Sequence, residues 1–319
     1  MKTDRNNPYR IVSFPDDACV GEVEFIDTRA DSTDDAPTVT GSAKGAVRVY
    51  DNEILKLTIW EAAALPHLAN LGGDDLQWLE IVLNAHPSQT VNVTDVDLQY
   101  LSHLSGLTHL KITAYESTGL TDKCVRCIRE LTNLIHLSLE TGHVTDDSLR
   151  YLAPLAQLES LNLWPSPSFR GDGIEHIQHL TNLRRVRLSS TPVARAGVRY
   201  LANLQRLEEI EVDFQEGGTD QAVSQITTLK SLKRLDLSWT PLSDDGMRHV
   251  SALSNLRSLH IHQTNISEHG LIYLHHLRNL ENLFLDEEFK HYPQIATLRT
   301  TLPNLMIHYY RASTFGPLP

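Results

Sequence analysis

A chain of 319 residues with 28 basic against 40 acidic side chains, a formal net charge of -12, carries no electrostatic footprint for nucleic acid or anionic lipid. No apolar run approaches the roughly 18 residues of a membrane span, and the opening residues lack the apolar core of a secretory signal. Three cysteines, Cys19, Cys124 and Cys127, are too few for a disulfide framework, so a reducing, cytoplasmic setting is expected.

From the N-terminus, residues 1–53 hold short apolar stretches, Ile11 to Phe14, Val20 to Ile26 and Ala46 to Tyr50, around an acidic segment expected as a mobile loop near 29–43. This region reads as a small β-type cap. Beyond it a Leu-x-x-Leu-x-Leu signature recurs to about residue 310. Its middle positions are Leu55, Leu79, Leu110, Leu137, Leu161, Val186, Ile210, Leu235, Leu259, Leu283 and Leu305. Their gaps of 24, 31, 27, 24, 25, 24, 25, 24, 24 and 22 residues mark a repeat array, which grows along one axis and so escapes the size limit of a globular core.

Each copy alternates over its strand: Val186 and Leu188 point inward, Arg185, Arg187 and Ser189 outward. The helical half opens on a small hydroxyl followed by acid, as at Thr121-Asp122, Thr145-Asp146, Ser243-Asp244 and Ser267-Glu268, groups that cap free N–H donors and complement the helix dipole. Leucines then fall three apart, Leu149, Leu152 and Leu155, or Leu271, Leu274 and Leu277, forming one buried face. Cys124 and Cys127 form a C-x-x-C, but they align with Ser148 and Tyr151, ordinary helix positions, and no second pair completes a zinc site. Between strand and helix stands a threonine, Thr191, Thr240 or Thr264, whose hydroxyl is expected to pair with backbone groups of the adjoining turn as a threonine ladder.

On these residues the copies at 131–154 and 253–276 resemble the bacterial leucine-rich repeat class with a T-D-x-G-L motif, common in planctomycete-type proteins. The resemblance covers roughly residues 54–310 and lapses at Ala194-Arg195-Ala196, which lacks the acidic cap. The expected fold is an α/β leucine-rich repeat solenoid, a curved right-handed array with about eleven parallel strands on the concave face and helices on the convex face. A cap at 1–53 precedes it and a tail at 311–319 closes it.

Function in such an array lies on the outward strand columns and irregular loops, because the regular apolar positions belong to the core. The candidate partner-binding residues are Trp164, Arg185, Arg187, Glu209, Glu211, Asp213, Phe214, Arg234, Asp236, Trp239, His260 and His262. Arg185, Glu209 and Arg234 are expected as neighbours in a self-neutralising patch, as are Arg187 and Glu211. Glu211, Asp213 and Asp236 would offer an acidic strip to a basic ligand, with Trp164, Phe214 and Trp239 as aromatic anchors. His260 and His262, an H-x-H beside Asp236, keep a metal site open if their ligand atoms converge. Longer connections at 84–94 and 113–119, and the proline-bearing segment 164–174, are candidate lips over the groove.

No P-loop, GxGxxG, GxSxG or HExxH is present. The chain is therefore read as a non-catalytic, monomeric, cofactor-free scaffold for a protein or peptide of basic character, away from nucleic acid and membrane. A metal-binding module or metal-dependent hydrolase, and a substrate-receptor subunit of a regulatory assembly, stand as alternatives.

Overall fold

Short strands with one apolar side, repeated at a near-constant interval, bury that side only by stacking on the next copy. The computed structural model, which describes residues 8–28, 39–83, 94–114, 120–192, 195–213 and 218–311, shows that arrangement. The strands are β1 (Tyr9–Ser13), β2 (Glu22–Asp27), β3 (Val39–Ser42), β4 (Ala46–Tyr50), β5 (Glu53–Ile59), β6 (Trp78–Leu83), β7 (His109–Ala114) and β8 (His136–Glu140), followed by β9 (Ser160–Trp164), β10 (Arg185–Pro192), β11 (Glu209–Asp213), β12 (Arg234–Asp236), β13 (Ser258–His260), β14 (Asn282–Asp286) and β15 (Met306–Tyr310).

The chain divides into two compact units, Met1–Val144 with Tyr151–Leu158, and Thr145–Arg150 with Glu159–Pro319. In the first, β1 pairs antiparallel with β4; β5 to β8 pair in parallel, and β2 joins β5 antiparallel with β3 outside it. In the second, β9 to β15 are all parallel and follow one another in chain order. The fold is the α/β leucine-rich repeat solenoid that the period implies.

The central positions from Leu79 to Leu283 are register partners of one another within each unit and are buried. The two ends differ from the sequence reading. Leu79 pairs with Leu57, not Leu55, and Leu283 pairs with Ile307, not Leu305. In β5 the residues Leu55, Leu57 and Ile59 are all fully buried, so apolarity alone does not mark the middle one. The last copy shortens its turn, and the strand starts at Met306. Part of the acidic segment is also more ordered than expected: Val39–Ser42 pairs with β2, while 29–38 lie outside the described residues.

Leucines three apart suit a 3-10 helix, in which residues i and i+3 eclipse. Accordingly the helical halves at Asp146–Leu152 and Gly270–His276 are 3-10, whereas Thr219–Ile226 and Asp244–Val250 are α-helical. The hydroxyl caps act as expected: Thr121 accepts from Lys123 N, and Ser243 from Asp245 N, each at 3.2 Å. The acids beside such hydroxyls do something further. Asp95 accepts from both N and Oγ1 of Thr121, and Asp244 from both N and Oγ of Ser267, each pair lying one repeat on. Asp220 holds Ser243 in the same way. The acid therefore fastens successive copies together. Asn133, Asn255 and Asn279 add bonds to the preceding copy, at Ser105 O, Lys230 O and Ser254 O. Thr240 and Thr264 bond carbonyls three residues back, closing their own turns; the side chain of Thr191 is outside the described residues.

The glycine of the motif follows from the same closeness. A Cβ at Gly270 would sit 2.3 Å from Asp244 Oδ1, and one at Gly173 would sit 2.1 Å from Asp146 O. The segment 164–174 is not simply a lip: Phe169 is fully buried and is the largest fully buried side chain among the described residues. Residues 84–93 and 115–119 of the other two candidate lips lie outside the described residues.

Candidate functional site

Side chains alternate along a strand, so the side of each sheet turned away from the core carries every second residue of each copy. In the second unit its centre is charged. Arg185 and Arg234 are the register neighbours of Glu209, as the repeat requires. The ion pairs, however, run through Arg187, whose guanidinium lies 3.6 Å from Glu209 and 3.4 Å from Glu211. Arg185 and Arg234 form no ion pair among the described residues. A long side chain reaches its diagonal neighbour as readily as the one directly opposite, and one arginine between two glutamates takes both.

Two members of the expected acidic strip have partners. Glu211 is engaged by Arg187, and Asp236 accepts from Ser238 N at 3.0 Å and lies 3.5 Å from His260 Nδ1. The side chain of Asp213 and all of Phe214 are outside the described residues. Trp164 ends β9 with 40% of its surface exposed.

From β12 to β15 the surface becomes aromatic. The His260 ring stacks on Phe284 with centroids 3.8 Å apart, and Phe284 stacks on His308 at 4.4 Å. Beside this row the His262 ring stacks on Tyr310 at 4.4 Å, and Trp239 meets both edge-on at 6.2 and 6.4 Å. Trp239 reaches that position through a left-handed backbone, with φ of 62°. Offset-stacked and edge-to-face rings of this kind attract beyond their buried area. Tyr310 enters because β15 begins at Met306; the sequence register, set on Leu305, left it out.

Burial holds both His260 and His262 below the ordinary imidazole range, against the pull of Asp236, so both are neutral near pH 7. The metal reading finds no support in this geometry. His262 Nδ1 is 2.9 Å from Ser238 Oγ, Asp286 accepts from Gln263 N and Nε2, and among the described residues no three His, Cys, Asp or Glu gather as a metal-holding group. Cys124 and Cys127 are free thiols; burial pushes Cys124 up to about 12 and raises Cys127, as suits packing residues.

The first unit carries a second stacked row, Trp78 on His109 at 4.6 Å and His109 on His136 at 4.4 Å. Burial, with the neighbouring His136, pushes His109 down to about 4 from 6.5. Between those values the unfolded chain takes up a proton that the folded chain refuses, so stability is lost as pH falls from 6.5 towards 4. Allowing for its partial exposure, the loss is about 1 kcal/mol. Urea denaturation at about pH 7.5 and about pH 5, on either side of the unfolded-state value, checks this. His109→Phe keeps the stacked ring and is expected to lose less stability between the two pH values than the parent; an equal loss in both would refute it.

No helix among the described residues is long and apolar enough to cross a membrane. Among curated proteins no sequence matches this chain. Two solved structures from Listeria monocytogenes are similar in fold. One, an internalin, is 14% identical over 83% of this chain and 87% of its own, with a TM-score of 0.46. The other, internalin C2, is 21% identical over 72% and 80%, with a TM-score of 0.38. The family model for the leucine-rich repeat region matches residues 104–306, more than half of the sequence, and the chain belongs to the leucine-rich repeat family.

Proposed function

We propose that the protein is a non-catalytic binding scaffold whose second unit docks a protein or peptide on the outward side of β10 to β15. The observation that carries this reading is the cluster of Trp239, His260, His262, Phe284, His308 and Tyr310 on a sheet surface that repeat stacking has no need to make aromatic. Met306 and Tyr310 at its margin keep 56% and 41% of their surface exposed. Interfaces concentrate aromatic anchors in this way and surround them with a charged rim, a role that falls to Arg185, Arg187, Glu209, Glu211, Arg234 and Asp236.

The partner makes apolar contact at β13 to β15 and ionic contact at β10 to β12, where Arg185 and Arg234 are available to carboxylates. The basic or neutral partner that the composition favours would thus also carry carboxylates. Affinity capture from extract of the source cell tests the reading. The bound set is expected to disappear with Trp239→Ala plus Tyr310→Ala and to persist with Ile272→Ala, which alters an exposed residue of the Gly270–His276 helix. Retention by the double variant would refute it.

A further inference from the structure

Lys56 on β5 shows how this fold holds a cation. Its Nζ lies 3.1 Å from Glu24 on β2, 3.3 Å from Glu80 on β6 and 5.1 Å from the centre of the Trp78 ring. Two carboxylates neutralise the ammonium and an indole face attracts it.

Further along the same strands two carboxylates and an indole come together again, without a cation among the described residues. Glu22 sits two residues from Glu24, on the same side of β2, and its register partner on β5 is Thr58, two residues from Lys56. Trp60 and Glu61 follow directly beyond β5. At this edge a cavity of about 590 Å³ opens, bounded by Glu22, Glu61, Trp60, Thr40, Ser42 and Cys19 among others. That volume falls within the range of about 300 to 1,000 Å³ typical of small-ligand sites.

The Trp60 indole keeps 49% of its surface exposed, with no stacking ring and no cation over it among the described residues. Among the described residues Glu22 and Glu61 form no ion pair, and no described Lys, Arg or His bounds the cavity. Two carboxylates without an ion pair among the described residues, beside an open indole in a chain with an excess of acid, attract a cation and favour one with an apolar stem to lie on the ring.

We propose that this cavity binds the guanidinium or ammonium group of a basic peptide side chain, with Glu22 and Glu61 taking the parts of Glu24 and Glu80, and Trp60 that of Trp78. The site is independent of the docking surface in the second unit and stands or falls separately.

Calorimetric titration of the full-length protein tests it, using Nα-acetyl-arginine amide, Nα-acetyl-lysine amide and the uncharged citrulline analogue. Both cations are expected to saturate a single site, more weakly at high salt, while the citrulline analogue does not. Glu22→Gln plus Glu61→Gln, and separately Trp60→Ala, should each weaken binding about tenfold or more, with Trp60→Phe between them and the parent. Glu61→Gln alone changes an exposed residue outside the strands and gives the same reading, a measurable weakening, should the double variant melt early. Absence of saturable binding by both cations, equal binding of the citrulline analogue, or unchanged affinity in the carboxamide variants would overturn the proposal.

Discussion

Replacing Phe169 with alanine is expected to cost about 3 to 5 kcal/mol of unfolding free energy, the range for deleting a fully buried phenyl ring. The residue lies in a proline-bearing stretch whose sequence reads as a loop, yet its ring has no exposed surface. It occupies the place after the strand that Val144, Leu242 and Ile266 take in other copies, all of them buried. Phe169 N also bonds Ser166 O at 2.9 Å, so the turn that delivers the ring is itself closed. Phe169→Leu should cost much less, because most of the volume is restored. Urea denaturation of the three proteins provides the measurement. A cost below about 1 kcal/mol for the alanine variant, usual for surface positions, would return the segment to the status of a loop.

The second large effect is expected at Gly173. An added Cβ meets three backbone atoms of Asp146, with O at 2.1 Å and C and Cα at 2.8 Å, and backbone cannot rotate out of the way as a flexible side chain can. Two hydrogen bonds run through the same contact: Asp146 accepts from Arg170 N at 2.7 Å and from Gly173 N at 2.9 Å. Relieving the clash means moving the copies apart and stretching both bonds, so Gly173→Ala should cost about 3 kcal/mol. Gly41→Ala is the contrast. The nearest non-neighbouring atom to its Cβ is Val23 Cγ2 at 3.7 Å, an ordinary contact, and little change is expected. Equal melting of the two variants would show that the copies are less tightly joined than the contact implies.

Most of the fold was legible because burial of a repeated strand leaves a period that composition cannot hide. Positions from Leu79 to Leu283 could be addressed side chain by side chain, and the outward direction of Arg187, Glu211 and His260 followed. The ends were less legible for a physical reason. A terminal strand has only one repeat neighbour to define its register, and Leu55 and Leu305 are themselves buried, so pattern alone could not choose between them and Leu57 or Ile307. The misplaced register at the second end concealed Tyr310 and with it the group of rings that it forms with His262 and Trp239.

The role of the acid in the repeat was only half legible. A hydroxyl followed by aspartate announces a helix start, but local sequence does not say that the carboxylate will reach the next copy, as Asp244 does to Ser267. The pair of Arg187 with Glu211 was legible, but Glu209 goes to Arg187 on the diagonal and not to Arg185 or Arg234, since sequence says which residues are neighbours and side-chain length decides which of them touch. Glu22 and Trp60 carried no signal at all. They come together only because β2 turns back antiparallel onto β5, a pairing that a repeat pattern does not encode.

The central functional claim, that the aromatic surface of β12 to β15 anchors a partner, is tested most directly by the affinity of the captured partner for the purified parent and for Trp239→Ala plus Tyr310→Ala. The account predicts a loss of about 30-fold or more, the scale of anchor residues at about 2 kcal/mol, with melting behaviour preserved. An affinity within about twofold of the parent would contradict it.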